Sequence, residues 1–267
     1  MCGLKPDLAI VLALCGALGF GPAALGETAP EILAAPPIPQ ISLASETVAD
    51  ADAELTQAAA DDAAAHGIVA VKGHEAQLRQ VLADMPSPFV RTRSEAGQLI
   101  YRADSSLGCA VYQSAHAGQQ IACQGNPFAS AGFFLGSYYN EIGQPELALE
   151  ALDLGLVAGP NSPVLIAERN AALIMQHRWN DVLAAADRGL GIPALAGNYR
   201  ALMLRNRGYA LTALNRLDEA QQAYEQSLAL APDNALAKNE LRYIAGLKAG
   251  AAPTEGAIFL PNKPKSN

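Results

Sequence analysis

From about residue 129 to residue 247 the apolar positions follow the 3.6-residue period of packed helices almost without a break. Upstream the pattern falls into short pieces. Residues 68–72 alternate as a strand would. Residues 75–85 set Leu78, Val81, Leu82 and Met85 on one helical face, and Pro86 and Pro88 stop that helix. Residues 98–102 read as a second strand. Asp104 or Ser105 can cap a helix bearing Leu107, Val111 and Ala115 that ends near Gly118, and residues 120–124 form a third strand. The pattern predicts a small α+β unit over 67–127 and a helical region over 128–249.

The helical region repeats itself. GQPELALEALDLGL (143–156), HRWNDVLAAADRGL (177–190) and NRLDEAQQAYEQSL (215–228) align in columns. Ala148, Val182 and Ala220 share one column, and Leu152, Ala186 and Tyr224 another. Gly155, Gly189 and Ser227 form a third, and Leu156, Leu190 and Leu228 a fourth. Gly136 and Tyr139 precede the first copy, Gly208 precedes the third, and Pro160 and Pro232 end those two units. Residues 191–199 hold the extra length of the middle unit, which has Asn170 where Gly is usual.

Period, columns and terminal prolines together resemble the tetratricopeptide repeat, over roughly residues 129–232 with a capping helix to Leu247. The resemblance implies a mainly α chain: an α-solenoid of three helical hairpins plus the cap, preceded by the α+β unit. Each hairpin leaves an apolar face bare until the next covers it. Small residues at Gly136, Ala148 and Ala220 let helices approach, and Tyr139, Leu152 and Tyr224 fill the gaps. Lys238, Glu240 and Lys248 are expected on the polar outer face of the last helix.

In this family the first helices of the hairpins line a concave groove. The resemblance places Phe133, Ser137 and Asn140 there from the first unit, Ala167, Ala171 and Ile174 from the second, and Leu202, Arg205 and Tyr209 from the third. One branch of the family clamps a C-terminal carboxylate with Lys, Arg and Asn. Those places hold Phe133, Ser137, Ala171, Leu202 and Asn206 here, so a chaperone-tail role is disfavoured. Burial of Phe133 and Tyr209 under the N-terminal block is the competing reading.

The amino-terminal residues add a compartment. After Lys5 come nineteen uncharged residues, Leu8 to Gly26, closed by small residues before Glu27. This is the layout of a signal peptide cleaved near Gly26, with an uncleaved membrane anchor as the alternative. Residues 27–66, proline-rich and then acidic and alanine-rich, read as a disordered tether in which only 51–65 could form a helix. Residues 250–267 read as a loose tail. The mature chain would be periplasmic or secreted, of bacterial type, with no stable membrane insertion. It would keep only Cys109 and Cys123, an even pair that reads as one disulfide, against two free buried thiols.

A net charge of −8 and a pI near 5.0 exclude a phosphate-tracking nucleic-acid protein. Chemistry is sparse. No HExxH, GxSxG or phosphate-cradling glycine loop is present, and His66, His74, His116 and His177 have no ligand spacing. Cys109 and His116 on one helix would stand about 10 Å apart, too far for a thiol and its base. The reading is therefore no catalytic residues, no cofactor and no metal. It predicts an exported interaction scaffold with an unnamed protein partner in the groove. A small envelope enzyme built on 67–127 and a self-associating structural protein are the alternatives.

Overall fold

The computed structural model describes residues 46–253 except 96, 104–105 and 193–194. The expected signal peptide, the tether up to residue 45 and most of the tail lie outside the described residues.

Helix α1 (Glu46–His66) occupies much of the span expected to be a disordered tether. Its buried face carries Asp52, Thr56, Ala59 and Ala63, a stripe of small residues at helical spacing. An alanine stripe gives little hydrophobic signal, yet it lets another helix come close. The expected strand at 68–72 is instead a 3-10 helix, Ile68–His74, in which Val71 is fully buried. Ile68 packs in the same core. The three-residue spacing of Ile68 and Val71 suits three residues per turn, and among the described residues no strand pairs with them. Helix α2 (Glu75–Ala83) buries Leu78, Val81 and Leu82, as its pattern requires.

The sheet unit follows. Strand β1 (Thr92–Glu95), unforeseen in the sequence, pairs antiparallel with β2 (Gln98–Ala103), Thr92 opposite Tyr101. Helix α3 (Ser106–Ala115) then crosses to β3 (Ile121–Gly125), which runs parallel to β2 with Leu99 opposite Ile121. A parallel neighbour demands such a crossover. A disulfide joins Cys109 on α3 to Cys123 on β3 (Cα–Cα 6.0 Å). Its 15-residue loop contributes about 3 kcal/mol in the chain-entropy account.

Seven further helices build the repeats: α4 (Pro127–Glu141), α5 (Pro145–Ala158), α6 (Pro163–Met175), α7 (Trp179–Leu190), α8 (Gly197–Ala213), α9 (Leu217–Leu230) and α10 (Ala235–Lys248). Asn126 caps α4 by accepting from the Ala129 N–H, and its amide donates to the Ala158 carbonyl. Three hairpins, α4–α5, α6–α7 and α8–α9, each pack on the next element, and α10 covers the last. The aligned columns are the core. Ala148, Val182, Ala220, Leu152, Ala186 and Tyr224 are all fully buried.

The first aligned column has its own role. Gly143, His177 and Asn215 all adopt left-handed backbone, at φ 73°, 55° and 58°. After each, an N–H reaches back five residues, Gln144 to Tyr139, Arg178 to Leu173 and Arg216 to Leu211. These are helix-ending turns that free the chain to reverse.

The N-terminal layer is continuous with the array. α1, the 3-10 helix and α2 all pack on α4. The Tyr139 hydroxyl donates to Glu75 (2.7 Å) and accepts from Arg79 (2.9 Å). Burial pushes the Tyr139 phenol up to about 12, and its bond to the Glu75 carboxylate adds to that shift. The sheet unit attaches by Phe89, edge-on to Phe128 at 5.4 Å, and by Arg102 over the Phe128 ring.

Asn170 stands where the other hairpins have Gly136 and Gly208. It is fully buried, and neither polar atom of its side chain has a hydrogen-bond partner. An unpaired buried amide costs about 1–3 kcal/mol. Asn170→Ala is therefore expected to raise stability by about 1 kcal/mol in urea unfolding; a loss instead would mean the amide is satisfied.

Candidate functional site

The first helices of successive hairpins, α4, α6, α8 and then α10, lie side by side and form one face. The structure distributes the expected groove residues unevenly along it. Ser137, Ile174, Leu202, Arg205 and Tyr209 are partly exposed, and Ala171 is open to solvent. Phe133 and Asn140 are buried, at 7% and 6% exposure. Phe133 lies edge-on to Phe134 and belongs to the main core. As a free aromatic anchor it is ruled out, because α4 is packed by α1, α2, α5 and α6 at once.

At the α8 end, Arg205 donates to the Ser227 hydroxyl at 3.4 Å, and Ser227 in turn bonds the Ala201 carbonyl. Burial pulls the Arg205 guanidinium below its ordinary value. Tyr209 meets the Trp179 ring edge-on at 5.7 Å. Burial, together with Glu240 and Tyr243 nearby, raises its phenol. Glu240, expected on the outer face of the last helix, is instead 9% exposed, and burial raises its carboxyl. Helix α10 turns that position inward against the third hairpin. The Tyr224 hydroxyl, fully buried, has no hydrogen-bond partner.

At the α4–α6 end the face carries a carboxylate. Glu168 accepts from the Asn140 amide at 3.0 Å, and the same nitrogen bonds the Glu168 carbonyl at 2.9 Å. Burial raises the Glu168 carboxyl, Asn140 and Ser137 hold it back, and Glu141 raises it further. The Ser137 hydroxyl nevertheless has no partner at hydrogen-bond geometry. Glu168 escaped the sequence reading because its partner Asn140 is 28 residues away, beyond any local spacing. Trp179 escaped for the same reason, and for that reason too Glu240 was expected to face outward.

Among the described residues no cluster of His, Cys, Asp and Glu could hold a metal. His66 and His74 share the Asp62 carboxylate, at 2.8 and 3.2 Å. Cys109 is in the disulfide, so it offers no thiol to His116. No described helix is long and apolar enough to cross a membrane.

Residues 201–234, from α8 to the cap of α10, match a protein family. They are a tetratricopeptide repeat. A stretch of 109 residues is 38% identical to RNA polymerase II-associated protein 3 of Mus musculus, covering 41% of this chain and 16% of that protein. Another of 107 residues is 35% identical to the Hsp70-Hsp90 organizing protein of Triticum aestivum, covering 40% and 16%. The chain thus spans about a sixth of the length of these relatives. Both are named for association and organisation, not for a reaction. Among solved structures, the first TPR domain of human RPAP3 is 30% identical, with a TM-score of 0.43 over 47% of this chain and 95% of that one. The first TPR of Spaghetti (RPAP3), bound to the HSP90 peptide SRMEEVD, is also 30% identical, with a TM-score of 0.43 over 46% and 95%.

These relatives correct one expectation. They are animal and plant proteins, and the first is by name associated with RNA polymerase II, a eukaryotic intracellular enzyme. The exported bacterial assignment, periplasmic or secreted, is overturned. An apolar amino-terminal run followed by small residues has the composition of a leader without being proof of one.

Proposed function

We propose that the chain is a protein-interaction scaffold whose first-helix face receives a segment of a partner protein. The observation that carries this reading is the strip Ala171, Ile174, Leu202, Arg205 and Tyr209. Residues from two hairpins stand partly or fully open along adjacent helices. Apolar side chains there offer burial, and Arg205 offers a guanidinium with no carboxylate partner in the strip. The cations of the family's carboxylate clamp are absent from its usual places, so Arg205 would be the group that meets an acidic peptide, and the HSP90 peptide SRMEEVD bound by one similar structure is the first probe.

The test is titration of SRMEEVD into the isotope-labelled chain, followed by nuclear magnetic resonance. Shifts are expected on Ile174, Leu202, Arg205 and Tyr209, and Arg205→Ala should weaken binding at least about tenfold, since one charged hydrogen-bond pair is lost. Shifts confined to the second helices or the sheet unit would overturn the reading.

A further inference from the structure

The α4–α6 end of the same face is chemically unlike the α8 end. The Glu141 charge adds a little to the rise of the Glu168 carboxyl, and neither carboxylate forms an ion pair among the described residues. Beside them the Asn140 side chain, 6% exposed, spends its N–H on Glu168 and leaves its Oδ1 with no donor at all. The Glu168 carboxylate and the Asn140 amide oxygen are thus two acceptors brought together by one hydrogen bond, with no ion pair to either among the described residues. Ala167 and Ala171 flank Glu168 on α6, and Ala171 is exposed.

We propose that this corner is a subsite for a basic side chain, a lysine or arginine of the partner segment, held by Glu168 with Glu141 and Asn140. The inference rests on the scaffold reading and deepens it by fixing the partner's charge pattern. A lysine or arginine carries its own N–H donors, which suit acceptor-only groups, and its aliphatic stem can lie along Ala167 and Ala171. The Asn140 Oδ1 would gain its missing donor as the segment seats. With Arg205 one hairpin further along, the face selects a segment that is basic at its α4 end and acidic at its α8 end. Such a pattern fixes direction as well as identity, because the reversed segment would set like charges together at both ends.

Three blocked peptides test this: acetyl-ALKALKALA-amide and its counterparts with glutamine or glutamate in place of lysine. Each is titrated into the full chain at low salt, with amide resonances of residues 133–175 as the readout. The lysine peptide is expected to bind at least about tenfold more tightly than the glutamine one, to shift Ser137, Asn140, Glu168 and Ala171, and to weaken as salt rises. Glu168→Gln should erase that preference. Glu141→Gln, an exposed change that leaves the fold alone, should reduce it by a smaller factor. Equal binding of the lysine and glutamine peptides on this face would overturn the basic subsite and leave the scaffold reading standing. Shifts from all three peptides elsewhere on the molecule would overturn both.

Discussion

Gly132→Ala is expected to destabilise the protein by about 2 kcal/mol, although alanine favours a helix over glycine by about 1 kcal/mol. The reason is the contact between α4 and α5. A methyl group at residue 132 would lie 2.6 Å from the Gly155 Cα and 2.8 Å from the Ala151 carbonyl oxygen. Both obstacles are backbone, so no rotamer change relieves them. Either the two helices move apart, which opens the seam filled by Leu152, or the strain stays. Overpacking of this kind costs about 1–3 kcal/mol, and here the steric term must also outweigh the gain in helix propensity. Thermal unfolding of the variant measures the balance. A raised midpoint would show that the α4–α5 spacing is soft.

Phe133→Ala is expected to remove about 4 kcal/mol of stability, as for other buried phenylalanines. The side chain is inside the core shared by the N-terminal layer and the first two hairpins. Tyr209→Ala should behave differently. Its ring is partly exposed and touches Trp179, so a smaller loss of stability is expected and, on the scaffold reading, the main effect is on partner binding. Urea titrations of both variants separate the two roles. Should Phe133→Ala unfold at the wild-type midpoint, its ring does not pack as described. The contrast also decides how a binding assay is read, because loss of binding in Phe133→Ala reports unfolding.

The repeat was legible because its information is local and redundant. Each column needs a small or a large side chain at a fixed helical offset, and three copies state the rule three times. The turn in the first column was open to the same reading, since Gly143 and Asn215 are residues that tolerate left-handed backbone. His177 hid the pattern in the middle copy. Helix α1 was hidden for another reason. Its buried face is Asp52, Thr56, Ala59 and Ala63, and no hydrophobic periodicity marks such a stripe. The sheet unit showed in outline, but β1 did not, because Thr92–Glu95 is short and polar and pairs with β2 across a turn. The polar half of the site was illegible in principle. Glu168 and Asn140, or Arg205 and Ser227, meet only when helices from separate segments are laid together.

The sheet unit is also a detour within a continuous stack of helices, and this sets the order in which the molecule assembles. Within the repeats, neighbours in space are neighbours in sequence, so each hairpin can form and seat on the next with little chain to organise. The seam between α2 and α4 is different. Its bonds from Tyr139 to Arg79 and Glu75 join residues 60 and 64 positions apart. Closing a loop of about forty residues, where a turn of three or four would otherwise serve, costs roughly 2 kcal/mol more in chain entropy. That cost predicts assembly from the repeats outward, with the layer of α1 and α2 docking on α4 last.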